Sequence, residues 1–127
     1  YERSGWEVYP FLQPVEIEGI AFVHYVTSGV MGRSISSARA GLTKRHQSFV
    51  QGHVQTRDIA ETSDVLGRRK IGLMAGIFYS HDEEYLTSQT GTATTWSGVW
   101  MLHDCDGTGQ FDYMPVSYSY LEDKYGS

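Results

Sequence analysis

The sequence predicts an α+β fold, or the β-rich half of a layered α/β domain, from three observations. Extended runs rich in β-branched and aromatic residues fill most of the chain, one short segment has helical spacing, and two alternating runs near the end flank the turn sequence DGTG. The chain has 127 residues and is 40% hydrophobic, so it can build one domain with a real core. We therefore expect residues 1–127 to form a single domain or one part of a larger domain.

The first elements are two extended runs, Glu7–Leu12 and Val15–Val26. Pro10 and Pro14 restrict the first run to an edge strand or an irregular strand, because proline cannot donate a ladder hydrogen bond. The residues EIEG supply a turn before Ile20. The stretch TSGVMGRSIS is rich in glycine and serine, which predicts a loop after the second run.

The segment SSARAGLTKRH is the best helix candidate in the chain. Ser36 or Ser37 can cap the N-terminus of this helix. Ala38, Leu42 and His46 share one face at four-residue spacing, which is typical of a helix packed on a sheet.

The second half of the chain has the pattern of strands joined by turns. QSFVQGHVQTRDIAET predicts a strand that breaks at Gly52, and a turn at Leu66–Gly67 precedes a buried strand over Lys70–Tyr79. A long polar loop, YSHDEEYLTSQTGTATT, follows. The final signal is a hairpin around DGTG. We favour a hairpin over a calcium loop because the glycine comes too early and the flanks alternate like strands.

Charge is distributed unevenly along the chain. The formal net charge is −5, yet residues 33–70 carry eight basic and three acidic side chains. This positive segment brackets FVQGHVQ and would attract a phosphate, although a solvated surface of mixed charge explains it equally well. The overall acidity argues against a general nucleic-acid coat protein, and no apolar run approaches the ~20 residues that span a bilayer. The single Cys105 excludes an internal disulfide and fits a reducing, cytoplasmic compartment.

Two histidines are candidate metal ligands because each follows a short apolar strand. His24 ends GIAFVH, and His53 ends FVQGH directly after Gly52. If these strands are neighbours, both imidazoles lie at one edge of the sheet, where open sheets carry their sites. Gly52 would let the backbone turn or approach an ion closely. The alternative interpretation of each histidine is a hydrogen-bonded structural residue.

The other histidines point to simpler roles. His46 falls on the helical pattern and fits the surface or the packing of the helix, whereas His103 alternates along a hairpin strand. His81 lies in SHDEEY, whose carboxylates could bind a hard cation, but a charged loop is more often only solvated.

Three segments occur in a distinctive order: GIAFVHYVTSG, then SFVQGHVQTRDIAE after the predicted helix, then GRRKIGLMAGIFY. Together they resemble the C-terminal half of calcineurin-like metallophosphoesterases, particularly phage-type members. The resemblance covers roughly Trp6 to Leu121 and rests on the order and spacing of short motifs. It implies the β-rich C-terminal half of a four-layer α/β metallophosphoesterase β-sandwich, located in the host cytoplasm if the protein is phage-encoded.

The activity that the resemblance implies is metal-dependent hydrolysis of phosphoesters, as a phosphatase or a nuclease. In this family, two divalent ions hold a bridging hydroxide and clamp the phosphate oxygens. His24 and His53 would match histidines that bind the same ion, while Gln55 stands where the last histidine of Gly-His-x-His serves the other ion. A neutral amide suits Mn²⁺ or Mg²⁺ better than Zn²⁺. We therefore expect two divalent ions, with Mn²⁺ favoured and Zn²⁺, Fe or Mg²⁺ as alternatives.

The positive segment supplies the candidate substrate ligands. Within the implied site, Arg33, Arg57 and Lys44 would hold the substrate phosphate by charge-assisted hydrogen bonds. The expected partner is therefore a phosphoester substrate, with nucleic acid as one class, and no membrane.

The front-half motifs of the family, Asp-x-His, Gly-Asp and Gly-Asn-His, do not occur in these residues. Because the chain begins at Tyr1 without a methionine, we expect a fragment, a processed product or part of a longer chain. On this interpretation the chain alone is not competent, and a companion N-terminal segment carries the remaining metal ligands. Two alternatives stay open: a catalytically inactive phosphoesterase-like domain used for binding or assembly, and an unrelated β-rich module with structural histidines.

Overall fold

The protein, described by a computed structural model, has a mixed α+β fold in which strands predominate. The structure describes residues 5–29, 32–78 and 96–126. The strands of the larger sheet are β1 (Val15–Ile17), β2 (Ile20–Val23), β3 (Phe49–Gln51), β4 (Arg57–Ser63) and β5 (Arg69–Ala75). The smaller sheet consists of β6 (Gly98–His103) and β7 (Asp112–Ser117). The helices are α1 (Ala38–Arg45) and α2 (Tyr118–Tyr125).

The larger sheet is mixed, with the strand order β1-β2-β3-β5-β4. Its three central strands β2, β3 and β5 run parallel, and the outer strands β1 and β4 are antiparallel to their neighbours. Helix α1 joins β2 to β3 and packs across β4 and β5. Because successive strand residues face opposite sides, α1 covers one face while the β6–β7 hairpin covers the other. The described residues therefore form three layers: helix, sheet and hairpin.

The sequence prediction of α1 is confirmed, including its cap. The side-chain oxygen of Ser37 accepts a hydrogen bond from the Ala40 N–H, which satisfies a helix-start donor. Ala38 and Leu42 are buried against the sheet. His46 does not share their face as predicted, because it ends the helix in the left-handed conformation with φ 56° and is exposed.

Phe49 lies at the centre of the helix-side core and is 1% exposed. Two glycines make room for its ring. A Cβ on Gly41 would lie 2.4 Å from Phe49 Cζ, and one on Gly72 would lie 2.7 Å from Phe49 Cε1. The close approach of α1 to β3 and β5 thus depends on the absence of side chains at these two positions.

A tight turn anchors the hairpin layer to the sheet. Glu18 and Gly19 join β1 to β2 with φ values of 55° and 78°, the left-handed pair that two-residue hairpins favour. The Glu18 carbonyl accepts a hydrogen bond of 3.1 Å from the Gly109 N–H, in the connection between β6 and β7. The residues that share this hairpin-side core are Ile20, Ile71 and Phe111. The predicted EIEG turn and the predicted DGTG hairpin are both confirmed.

Other strand predictions are wrong at their ends. Glu7–Leu12 is not a strand, since a turn closes there with the Gln13 N–H donating to the Pro10 carbonyl and Leu12 at φ 64°. The run Val15–Val26 is split into β1 and β2 by the tight turn.

The predicted strand Lys70–Tyr79 ends at Ala75, because Gly76 takes φ 81° where the Trp96 carbonyl approaches closely. Tyr79 and the predicted polar loop lie outside the described residues. Helix α2 is absent from the sequence prediction, because the alternation in SYSYL has the period of a strand. The Ser117 hydroxyl caps it by accepting from the Tyr120 N–H.

Candidate functional site

The two candidate histidines follow neighbouring parallel strands. Val23, the last residue of β2, lies opposite Gln51, the last residue of β3. His24 therefore follows β2 at the same sheet edge at which His53 follows β3. The βαβ connection through α1 is what brings together two residues 29 positions apart.

The backbone at His53 is unusual for a residue with a side chain. His53 has φ 69°, and the Val54 N–H donates to the Gly52 carbonyl at 2.8 Å across it. This hydrogen bond between residues i and i+2 describes a γ-turn of the rare positive-φ form. Gly52 itself has ordinary φ and open space around it, so the left-handed conformation expected of the glycine belongs to the histidine. Strained backbone of this kind clusters at functional sites.

The imidazoles of the two histidines are in direct contact. His53 Nδ1 lies 2.9 Å from His24 Nε2, and the ring centroids are 4.8 Å apart in an edge-to-face arrangement. Both side chains are exposed to solvent. One nitrogen donates and the other accepts, which makes the pair a hydrogen bond in the absence of an ion.

The same nitrogens fit one metal ion with a small shift. Two imidazole nitrogens bound tetrahedrally at about 2.0–2.1 Å are roughly 3.3 Å apart, only a few tenths of an ångström beyond the separation of His24 and His53. The separation therefore suits two ligands of one ion, provided that the rings turn so that both lone pairs face it. In the part of the chain that the structure describes, no group of three or more His, Cys, Asp or Glu side chains converges.

Aromatic rings hold the histidine pair on two sides. The Tyr25 ring lies 4.6 Å from that of His53 at an interplanar angle of 38°, and the Tyr25 hydroxyl donates to the Gly32 carbonyl at 2.9 Å. The Phe11 ring lies 5.6 Å from the His24 ring. The two rings thus contact the imidazoles from two sides.

Gln51 fixes the backbone beneath the histidines, and sequence reasoning missed it. It is 1% exposed, its Oε1 accepts from the Val26 N–H at 2.9 Å, and its Nε2 donates to Ser34 Oγ at 3.2 Å. These bonds join the end of β3 to the segment that follows His24. A polar residue at a buried strand position was the only available signal.

Gln55, the third predicted metal ligand, lies two residues beyond His53 and is half-buried. Its backbone carbonyl accepts a hydrogen bond of 3.0 Å from the Trp96 N–H. The role of its side chain as a ligand stays a prediction.

The predicted phosphate ligands are spread over two regions. Arg57 begins β4, is exposed, and holds its guanidinium carbon 5.3 Å from the centroid of Trp96. Lys44 lies in the last turn of α1 with its ammonium next to Gly29, and the Arg33 carbonyl accepts from the Ser28 N–H. Neither Arg33 nor Lys44 forms an ion pair with a described residue. Of these three residues, only Arg57 lies on a strand, β4. This strand starts at the sheet edge at which the two histidines lie.

The remaining candidates do not change this picture. His103 ends β6 opposite Asp112, as the hairpin prediction requires, and is exposed. The SHDEEY cluster with His81 lies outside the described residues. Within the described ranges, no helix has the length and apolar character needed to cross a bilayer.

The sequence and the structure were compared with known proteins. No protein-family model, no curated protein and no solved structure matches this chain.

Proposed function

We propose that the chain is part of a metal-dependent phosphoester hydrolase, a phosphatase or a nuclease. The observation that carries the proposal is the histidine pair: two imidazoles from the ends of adjacent parallel strands, with nitrogens 2.9 Å apart. A histidine with a purely structural role needs one hydrogen-bond partner. It does not need the rare backbone turn that brings His53 to His24. Two converging imidazoles at an exposed sheet edge are the arrangement that a shared divalent ion requires.

In this proposal His24 and His53 bind one of two divalent ions, with Mn²⁺ favoured. The second ion uses Gln55 and ligands from a companion N-terminal segment. Bound ions would lower the pKa of a water molecule, clamp phosphate oxygens and neutralise charge on the leaving group. The chain's own part is to hold two imidazoles in register, which the Gln51 and Tyr25 contacts support.

A second candidate function is a phosphoesterase-like domain that binds or assembles without chemistry. The donor set favours it, since only two imidazoles converge among the described residues and Gln55 replaces the expected histidine. The two candidates differ in turnover and not in fold.

The experiment compares His53→Ala with His103→Ala, because His103 is also exposed but lies away from the pair. Mn²⁺ is titrated while thermal unfolding is followed. Ligand at about 100 times its Kd stabilises by ~2.7 kcal/mol, so Tm rises by several degrees in the unsubstituted protein. We expect this rise to persist in His103→Ala and to vanish in His53→Ala.

Turnover separates the two candidates. Hydrolysis of a chromogenic phosphodiester is measured with Mn²⁺ on the full-length protein that contains this chain. Activity lost in His53→Ala supports the hydrolase, whereas Mn²⁺ binding without activity supports the binding domain. Equal Mn²⁺ responses of both variants would remove the metal site at His53 and the hydrolase proposal with it.

A further inference from the structure

A second feature lies beside the start of β4, a groove of about 380 Å³. Arg57, Trp96 and Tyr120 line it together with Met114–Val116 of β7 and the cap residue Ser117. Its volume falls within the range of sites for small organic ligands. No carboxylate belongs to the described lining.

Both aromatic side chains of the groove are paired with a cation. The Arg57 guanidinium lies over the Trp96 ring at 5.3 Å, and the Lys124 ammonium lies 5.7 Å from the centroid of Tyr120. Neither cation forms an ion pair with a described residue. Tyr120 is 52% exposed, so much of this residue is accessible to a ligand. The lining thus combines flat π surfaces with positive charge.

The groove is linked to the histidine pair by a short piece of chain. Four residue steps separate His53 from Arg57, which limits their Cα distance to ~14 Å even if fully extended. Midway, the Gln55 carbonyl accepts a hydrogen bond of 3.0 Å from the Trp96 N–H, which ties the backbone of Trp96 to the segment between the two features. A ligand of nucleotide size can therefore reach from one feature to the other.

We propose that this groove binds a nucleobase, so that the phosphoester substrate is a nucleotide or a nucleic acid strand. The base stacks on the exposed Tyr120 ring and on the Arg57 guanidinium plane, which also donates hydrogen bonds to ring nitrogens or carbonyl oxygens. The apolar residues Met114–Val116 cover its edge. This assignment rests on the proposed function for the position of the phosphate, but not for binding of the base.

Charge and shape favour a base over an apolar peptide side chain. A purely apolar ligand would gain no binding energy from the charge of Arg57. It would also desolvate the Arg57 guanidinium at a cost in free energy. A nucleobase offers a π face to the Arg57 guanidinium and to the Tyr120 ring, and the phosphate of a nucleotide carries a charge opposite to that of Arg57 and Lys124.

The test measures binding in EDTA, without metal and without turnover. The probes are AMP, ribose 5-phosphate and a fluorescein-labelled single-stranded oligoadenylate. We expect AMP or the oligoadenylate to bind at least about five-fold more tightly than ribose 5-phosphate, the lower end of measured base–aromatic stacking. Preference for AMP identifies a nucleotide site, and preference for the oligomer identifies a strand site.

The variants are Tyr120→Ala and, as its control on the same helix, Tyr125→Ala. Tyr125 is 73% exposed and lies outside the groove, so both truncations leave the core intact. Tyr120→Ala should lose the preference for a base, and Tyr125→Ala should keep it. Arg57→Gln, also at an exposed site, should weaken the same preference.

Two results would overturn the base site: ribose 5-phosphate binding as tightly as both base-containing probes, or equal affinities of Tyr120→Ala and Tyr125→Ala. Either result leaves the metal response of His53 unaffected. Conversely, a base preference that survives in His53→Ala supports the groove even if that variant shows no loss of Mn²⁺ binding. The two proposals therefore fail separately.

Discussion

The side chain of Gln51 accepts a hydrogen bond from the backbone of Val26, 25 residues earlier in the chain. The bond is 2.9 Å long and buried, and it crosses from the end of β3 to the segment that follows β2. These two segments carry His53 and His24. The spacing of the two histidines therefore depends on the Gln51 bond that joins the segments.

Replacing Gln51 with leucine should lower the free energy of unfolding by about 1–3 kcal/mol. The substitution keeps a side chain of similar size but leaves the Val26 N–H unpaired in a buried place. Urea unfolding measures the effect. Gln47→Leu is the control, because the side chain of Gln47 bonds to Glu16 at the surface, and it should change stability by less than about 0.5 kcal/mol. Equal losses in both variants would contradict the importance of the buried amide.

Gly41→Ala should destabilise the protein although alanine is the better helix former. The new Cβ would lie 2.4 Å from Phe49 Cζ and 2.6 Å from Ile35 Cδ1. Overpacking of this kind costs about 1–3 kcal/mol, against a gain of ~1 kcal/mol in helix propensity. Thermal unfolding should therefore show a lower Tm. Gly52→Ala, with open space around its Cβ position, should leave Tm nearly unchanged.

His53→Gly should be more stable than His53→Ala, by roughly 1 kcal/mol. Glycine adopts the φ of 69° without the steric cost that alanine carries in the left-handed region. Chemical unfolding of the two variants measures the difference, and both should lack the Mn²⁺ response. If the alanine variant is the more stable of the two, the backbone at residue 53 is not left-handed in solution.

The carboxyl of Asp106 should titrate at lower pH than an ordinary aspartate. The Thr108 hydroxyl donates to it, as does the Thr108 N–H at 2.9 Å, and these bonds lower its pKa. A lowered pKa in the folded state means that its contribution to stability is present above the ordinary carboxyl range and is lost as the pH falls through the folded value.

Thr108→Val removes the hydroxyl and should move the pKa of Asp106 upward, as measured by NMR titration. Asp64 is an internal control, since hydrogen bonds from Arg68 and Leu66 lower its pKa in a different turn. Its titration should not move. An unchanged Asp106 titration would show that the hydroxyl bond is not formed.

Local patterns in the sequence predicted most of the fold. The continuous apolar run of β5 is a strand buried on both faces of the large sheet, and Ser37 caps α1 as its capping preference indicates. Helix α2 was missed since Ser and Tyr alternate there with the period of a strand, and only the Ser117 cap reveals the helix. Local sequence preference cannot distinguish a strand from a helix in such a segment, because tertiary contacts decide which of the two forms.

The site was predictable in part for a similar reason. His24 and His53 could be paired because parallel neighbours end at the same edge of a sheet. The Gln51 bonds and the Trp96 contact of Arg57 were missed, because they join residues 25 and 39 positions apart and leave no mark on local sequence.

The crossover through α1 also sets an order of events during folding. His24 and His53 can meet only after β2 and β3, which α1 connects along the chain, have paired, a non-local step that is intrinsically slow. A divalent ion on the two imidazoles would then act after the barrier of folding is passed. We expect such an ion to leave the folding rate unchanged and to slow unfolding. It would then stabilise the βαβ unit kinetically, through the unfolding rate alone.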